Sequence, residues 1–134
     1  MGRRFRLIVL SLAALALPAA APAPTPLSPP LFGAISYSAA TRLHGLARDF
    51  GNERDAVVRA LSACETHARS GDCRILVTFR NACGALAESP DGAYGTGWGV
   101  DTARASTYAG EVCADGGGTA CRVTQVICTG ARNR

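Results

Sequence analysis

Residues 81–101 read NACGALAESPDGAYGTGWGVD, and the fold turns on how that stretch is read. Pro90, Asp91 and Gly92 carry the chemistry of a tight turn: a preset φ, a side chain that bonds its own backbone, and freedom to adopt positive φ. Before them runs the apolar GALA, and after them Tyr94, Thr96 and Trp98 alternate with Gly95, Gly97 and Gly99. A period of two is strand geometry, because successive side chains point to opposite faces. The stretch is therefore expected as a β-hairpin whose second strand has aromatics on one face and glycines on the other. Glycine weakens a strand, so this placement implies that a helix or another backbone approaches the glycine face closely.

Moving outward, the hairpin opens the second of two segments that share an order. Phe32 to Phe79 and Cys83 to Cys128 each begin with Gly-Ala and an apolar residue (Gly33, Ala34, Ile35; Gly84, Ala85, Leu86), cross a turn and continue in a second extended run. In the first segment His44, Leu46, Arg48 and Phe50 alternate with Gly45 and Ala47, a weaker form of the same plan. Each segment then offers a helix cap, Asn52 or Asp101, whose side-chain oxygen can accept from free first-turn amides. Apolar residues follow at helical spacing, at Ala56, Val57, Ala60, Leu61 and Cys64, and at Ala105, Ala109, Val112 and Cys113. Each segment closes on Cys-Arg and an apolar run, Arg74 to Phe79 and Arg122 to Ile127, rich enough in β-branched residues to be expected as a central strand. The expected fold class is α+β: two tandem strand-strand-helix-strand repeats packed as one small disulfide-stapled domain.

At the start of the chain, Arg3, Arg4 and Arg6 precede an apolar run from Leu7 to Leu17 and a small-residue patch, the three-part plan of a secretory signal. The run is shorter than the roughly 20 apolar residues of a membrane span, so no stable transmembrane segment is expected after cleavage. Pro22 just beyond Ala21 is an awkward neighbour for cleavage and leaves an uncleaved anchor as the alternative; Arg3-Arg4-Phe5 is a loose match to a twin-arginine signal. Residues 1–21 are assigned to the signal peptide and 22–30 to a linker, since half of APAPTPLSPP is proline and favours extended geometry without a core. Residues 31–134 are the duplicated domain. The chain has 14 Arg and Lys together, all of them Arg, against 10 acidic residues. With three Arg in the leader the remainder is near 11 − 10 = +1. That balance gives no basic footprint for nucleic acid or anionic lipid. The expected location is periplasmic or extracellular.

All six cysteines lie downstream of the leader and form an even set, as in an exported disulfide framework. Six cysteines allow about 15 pairings. The repeat narrows them: Cys64 with Cys73 and Cys113 with Cys121 hold equivalent positions, each tying a helix end to the following strand, which leaves Cys83 with Cys128. Metal binding is the rival use, through Cys64, His67 and Cys73, but zinc sites favour Cys pairs two to four residues apart and none occurs; no metal or cofactor is expected.

Other chemistries fit poorly. The glycines at 95, 97 and 99 lack the G-x-G-x-x-G spacing of a dinucleotide loop, and Asp101 would repel a phosphate. The paired cysteines leave no thiol nucleophile, and no G-x-S-x-G is present, so Ser36, Ser38 or Ser106 could serve only by meeting His44 or His67 in space. The carboxylates at Glu88 and Asp91, or Asp49 and Glu53, sit beside turns or a helix start, as capping residues do. Tyr94, Trp98 and Tyr108 form a candidate binding surface, since aromatics are enriched at binding hot spots. The competing reading, and the favoured one for Trp98, is a core residue.

The series FGAISYS, GDCRILVTFRNACGALA, DGAYGTGWG and CRVTQVICTG resembles the domain-of-unknown-function family numbered 4189, a group of small exported bacterial domains, over about Leu31 to Thr129. The resemblance implies export and a compact cysteine-bearing domain, and it carries no catalytic residue or cofactor. The long first turn, AATRLHG, lacks the Asp-Gly or Asn-Gly signal of a tight hairpin. The functional expectation is a non-enzymatic module that recognises a protein or cell-envelope component, with a small envelope hydrolase using His44 or His67 as the alternative.

Overall fold

The computed structural model describes residues 20–23 and 27–130. Most of the expected leader, and part of the expected linker, lie outside these residues. Eight elements follow in the order β1 (Phe32–Tyr37), β2 (His44–Phe50), α1 (Glu53–Ala68), β3 (Arg74–Arg80), β4 (Cys83–Glu88), β5 (Tyr94–Gly99), α2 (Thr102–Asp115) and β6 (Arg122–Cys128). The fold is α+β, with each half supplying strand, strand, helix and strand. No helix among the described residues is long and apolar enough to cross a membrane.

Both helices start where a short polar side chain can replace the missing intrahelical acceptor. Asn52 Oδ1 accepts from Asp55 N at 2.9 Å, and Asp101 Oδ1 accepts from Arg104 N at 2.8 Å. Glu53 and Asp55 in the first turn of α1 suit the positive end of its dipole, and His67 lies in the last turn. The helix ends at Arg69, left-handed at φ 50°, whose N–H donates to Glu65 O. Helix α2 stops at Gly116, and Gly117 at φ 95° turns the chain away. Each helix buries a narrow stripe of small residues: Ala56, Ala60 and Cys64 on α1, Ala105, Ala109 and Cys113 on α2. Val112, expected on the apolar side of α2, is instead exposed, because the four-residue spacing of the small residues sets the buried stripe and Val112 falls beside it.

The strands form two antiparallel three-stranded sheets, ordered β2-β1-β3 and β5-β4-β6. This corrects the expectation for the final strands: β3 and β6 are edges, and β1 and β4 are central. Content in β-branched residues reports a half-buried pleated surface, and it does not report position in the sheet. The central strands FGAISY and CGALAE are rich in small residues because both of their faces are covered closely.

One face of each sheet carries its own helix and the other faces the second sheet, giving layers in the order α1, first sheet, second sheet, α2. Ala34 and Ala47 pack with Ala56 and Ala60 under α1, bordered by Phe32, Phe50, Val57 and Ile75. Cys83, Ala85 and Ala87 pack with Ala105, Ala109 and Cys113 under α2. Between the sheets lie Ile35, Tyr37, Phe79 and Leu86, with Leu46, Val77, Tyr94 and Ile127 at their margin. Phe79 reaches this layer because Gly33 and Gly84, one on each central strand, lack the Cβ atoms that its ring would meet.

Three disulfides are formed. Cys64 to Cys73 and Cys113 to Cys121 each span 6.1 Å between Cα atoms and join a helix to the approach of the following strand. Cys83 to Cys128 joins directly paired residues of β4 and β6.

Candidate functional site

Strand β5 and helix α2 position the surface at which two of the three candidate aromatics meet. Side-chain alternation sends Tyr94, Thr96 and Trp98 toward the inter-sheet layer and Gly95, Gly97 and Gly99 toward α2. The glycine face is filled as its composition implied: a Cβ at Gly97 would lie 2.5 Å from Ala109 N and 2.8 Å from Ala105 O, and one at Gly95 would strike the backbone at Cys113. The helix therefore rests on the strand, backbone to backbone.

Because β5 is the outermost strand of its sheet, the far end of its inter-sheet face is not covered. Trp98 is 56% exposed there, which corrects the favoured reading of it as a core residue. Tyr108, 44% exposed, stands on the adjoining face of α2. Between them runs a groove of about 430 Å³ lined by Thr96, Trp98, Val100, Arg104, Tyr108 and Val112. A second depression, of about 360 Å³, lies on the other side of the Trp98 ring against Phe32, Glu53, Thr78 and Arg80. Val100 was not among the residues singled out from the sequence, and Val112 was singled out only for the apolar side of α2. Val112 is four residues beyond Tyr108, and that spacing, read as a solvent-facing stripe rather than a buried one, was the available signal.

Tyr94 does not join this surface. It lies at the opposite end of β5, its ring 4.6 Å from that of Tyr37 and tilted by 41°, and its hydroxyl accepts from Arg74 Nη2 at 3.4 Å. It belongs to a polar clasp between the halves. Tyr37 Oη donates to Glu88 Oε1 at 2.8 Å, Thr124 Oγ1 donates to Glu88 Oε2 at 2.8 Å, and Arg42 approaches the same carboxylate at 3.8 Å while donating to Ser89 O at 2.8 Å. Burial pushes the Tyr37 phenol up to about 12, with the bonded and negatively charged Glu88 adding to the effect. Glu88 thus serves as an anchor point for β1, the first turn and β6.

Two buried serines organise the turns beside the clasp. Ser38 is bonded to Asp72, which also accepts from Ser70 and from Ala40 N, and these bonds lower the Asp72 carboxyl to about 2. Ser89 Oγ accepts from Ala120 N, while Asp91 accepts from Thr119 N and Oγ1 and from Ala93 N. Asp91 is held well below the usual carboxylate range, its hydrogen bond with Ser89 first among the causes. In both halves the end of a central strand is tied to the loop that carries a disulfide.

Neither histidine meets a hydroxyl or carboxylate at hydrogen-bonding distance among the described residues. His44 begins β2 half-buried, in register with Tyr37, and His67 is exposed on α1. Two of the three serine candidates are committed elsewhere: Ser36 Oγ donates to Ala60 O at 2.7 Å, and Ser38 is engaged with Asp72, while Ser106 lies half-buried on α2. All six cysteines are paired, so Cys64 and Cys73, weighed with His67 as the rival metal ligands, bond each other. No group of three or more His, Cys, Asp or Glu side chains among the described residues could hold a metal ion. What the arrangement does offer is a half-exposed aromatic and aliphatic groove on a rigid, cross-linked support.

Comparison with known proteins places this architecture. The family model described as "Domain of unknown function (DUF4189)" matches residues 32–128, and the chain belongs to that family. No curated protein matches the chain. Among solved structures, the NMR structure of Rv1813c from Mycobacterium tuberculosis is similar, with 21% identity and a TM-score of 0.55 over 95% of this chain and 98% of that one. At that identity the likeness concerns the fold alone.

Proposed function

For this member of the DUF4189 family we propose an exported, disulfide-stabilised, non-enzymatic module that recognises another protein or a cell-envelope component. The Arg-led apolar leader and the proline-rich stretch before Leu31 support export, and so do three disulfides in a domain of about 100 residues. The observation that carries the recognition role is the pairing of Trp98 with Tyr108 across an open apolar groove, on elements too tightly packed to bury either ring. Aromatic side chains on a preorganised support lose little entropy when a partner covers them, which is why such residues dominate binding energies.

The test uses the oxidised mature domain as bait against envelope and culture-medium proteins, beside Trp98→Ala and Tyr108→Ala baits of equal stability. A partner retained by the parent and lost by both variants is the expected result. Equal recovery by all three baits, or no partner at all, removes the recognition role from this surface. Assigning the alternative, an envelope hydrolase, would require an activity that disappears when His44 and His67 are replaced together.

A further inference from the structure

Residues 27–30, Leu-Ser-Pro-Pro, join the domain at a fixed point. Leu31 is clamped to the turn between β3 and β4 through both of its backbone groups: its N–H donates to Asn81 Oδ1 at 2.9 Å, and its carbonyl accepts from Asn81 N at 2.8 Å. Asn81 holds the left-handed region at φ 47°, a conformation that asparagine tolerates better than most residues. The next residue, Phe32, is in register with Arg80, and both line the depression of about 360 Å³ beside the Trp98 ring. Pro30 is thus two residues from the wall of that depression. The apolar groups at either end of this short tether are uncovered, Leu27 at 96% exposure and Trp98 at 56%.

Pro29 and Pro30 have no N–H, so the segment is a poor addition to the edge of β3 or β5 as a further strand. Polyproline II geometry suits it, with three residues per turn and about 3.1 Å per residue. Leu27 and Pro30, three apart, then share one face, and the four steps back from Leu31 reach about 12 Å. Such segments dock through that face into aromatic-lined grooves, at small entropic cost because their backbone is already set. The depression supplies the aromatic walls in Phe32, Phe79 and Trp98. Arg80 and the Trp98 indole N–H are donors at its rim, and a polyproline II backbone has only unpaired carbonyls to offer them.

We propose that residues 27–30 fold back onto this depression as one turn of polyproline II, with Leu27 against the Trp98 ring. The chain's own segment then covers one side of Trp98 and leaves the Tyr108 groove on the other side open. The proposal deepens the reading of Trp98 as part of a recognition surface, and rests on it, by naming what a partner must displace or pack beside. The tether is what selects this occupant. A short link holds the segment at a local concentration on the order of millimolar, so a contact too weak to retain a separate peptide forms within the chain.

Trp98 is the one tryptophan of the sequence, so intrinsic fluorescence reads this depression alone. Acrylamide quenching of the oxidised chain spanning residues 22–134 is compared with that of Leu27→Ser, of Pro29→Gly combined with Pro30→Gly, and of Ala23→Ser as the control. None of these positions is part of the core. Both segment variants are expected to raise the quenching constant about twofold and to shift the emission to the red, as the ring loses its cover. The control should match the parent, and the parent's protection should not change with protein concentration. Equal quenching in the parent and either segment variant overturns the docking. Protection that grows with protein concentration puts the segment on a neighbouring molecule and overturns the assignment within the chain. Neither failure touches the recognition role, because the bait experiment reads capture of a different protein and is decided separately.

Discussion

The two halves of the molecule share an order and a topology but are held under their helices by different means. Both central strands run from a Gly-Ala pair to a buried serine, and both pair with their third strand through a register shift at the matching point. The first half fills the space under α1 with side-chain volume, from Phe32, Phe50, Val57 and Ile75. In the second half, Cys83 stands before its Gly-Ala pair as Phe32 does in the first, and there a disulfide to Cys128 replaces aromatic bulk. The glycines of β5 let α2 settle onto the strand, whereas β2 has one such close approach, at Gly45, followed by Ala47. The bulge in β2 turns Asp49 outward to accept from Gly130 N at 2.6 Å, and β5 has no counterpart. One topology is thus compatible with volume or with a cross-link, and the thinner solution is the one that leaves a straight, uncharged edge.

The largest test of this contrast is covalent. Replacing Cys83 and Cys128 together by Ala should cost up to about 4 kcal/mol, because the closed loop is the longest of the three, against about 2.5 to 3 for the Cys64 and Cys73 pair. Urea unfolding of the two double variants decides it; if removal of the longer loop costs less, the cross-link is not what replaces the aromatic filling of the first half. Next is the helix seat. Gly97→Ala drives a methyl into the α2 backbone and should cost about 3 kcal/mol or more, while Ala47→Gly on the other half should cost about 1 kcal/mol. A tolerated Gly97→Ala would mean that α2 can lift from β5.

The clasp joining the halves comes third. Tyr37→Phe should cost about 1 to 2 kcal/mol, since it leaves Glu88 short of a donor. The folded phenol is raised above its ordinary 10.0 to about 12, so its contribution is whole below pH 10 and is lost as pH climbs through 12. The phenylalanine variant should lack that alkaline decline, and thermal melts across the range would show whether it does. The smallest effect is at Asp72. Its folded carboxyl is depressed to about 2 from an ordinary 3.8, so the stability it contributes is complete above pH 4 and fades as pH falls toward 2. Carboxyl NMR titration of the parent should give that low midpoint, and Asp72→Asn should flatten the acid limb; an ordinary midpoint would detach Asp72 from Ser38.

Much of the fold is legible in short-range chemistry. Asn52 and Asp101 mark both helix starts, Pro90-Asp91-Gly92 marks the second hairpin turn, and the alternation from Tyr94 to Gly99 marks a strand needing a close neighbour on one face. Strand position was not legible: RILVTFR and RVTQVIC have central composition at edge sites, because the adjacent strand and the opposing sheet are chosen by distant residues. The candidate site was half visible. Trp98 and Tyr108 come together, Tyr94 goes to the clasp with Tyr37, and Val112 joins the groove against its expected burial.

The sequence by itself determined which segments are strands and helices, where they begin, and that the second hairpin must lie under something thin. Those properties depend on local backbone preference and on side-chain periodicity within a few residues. Only the tertiary structure decided that the two sheets stack face to face, that Glu88 bridges them, and that Trp98 stands at an open edge. Exposure is a property of what lies across from a residue, and here that neighbour comes from the other half of the chain.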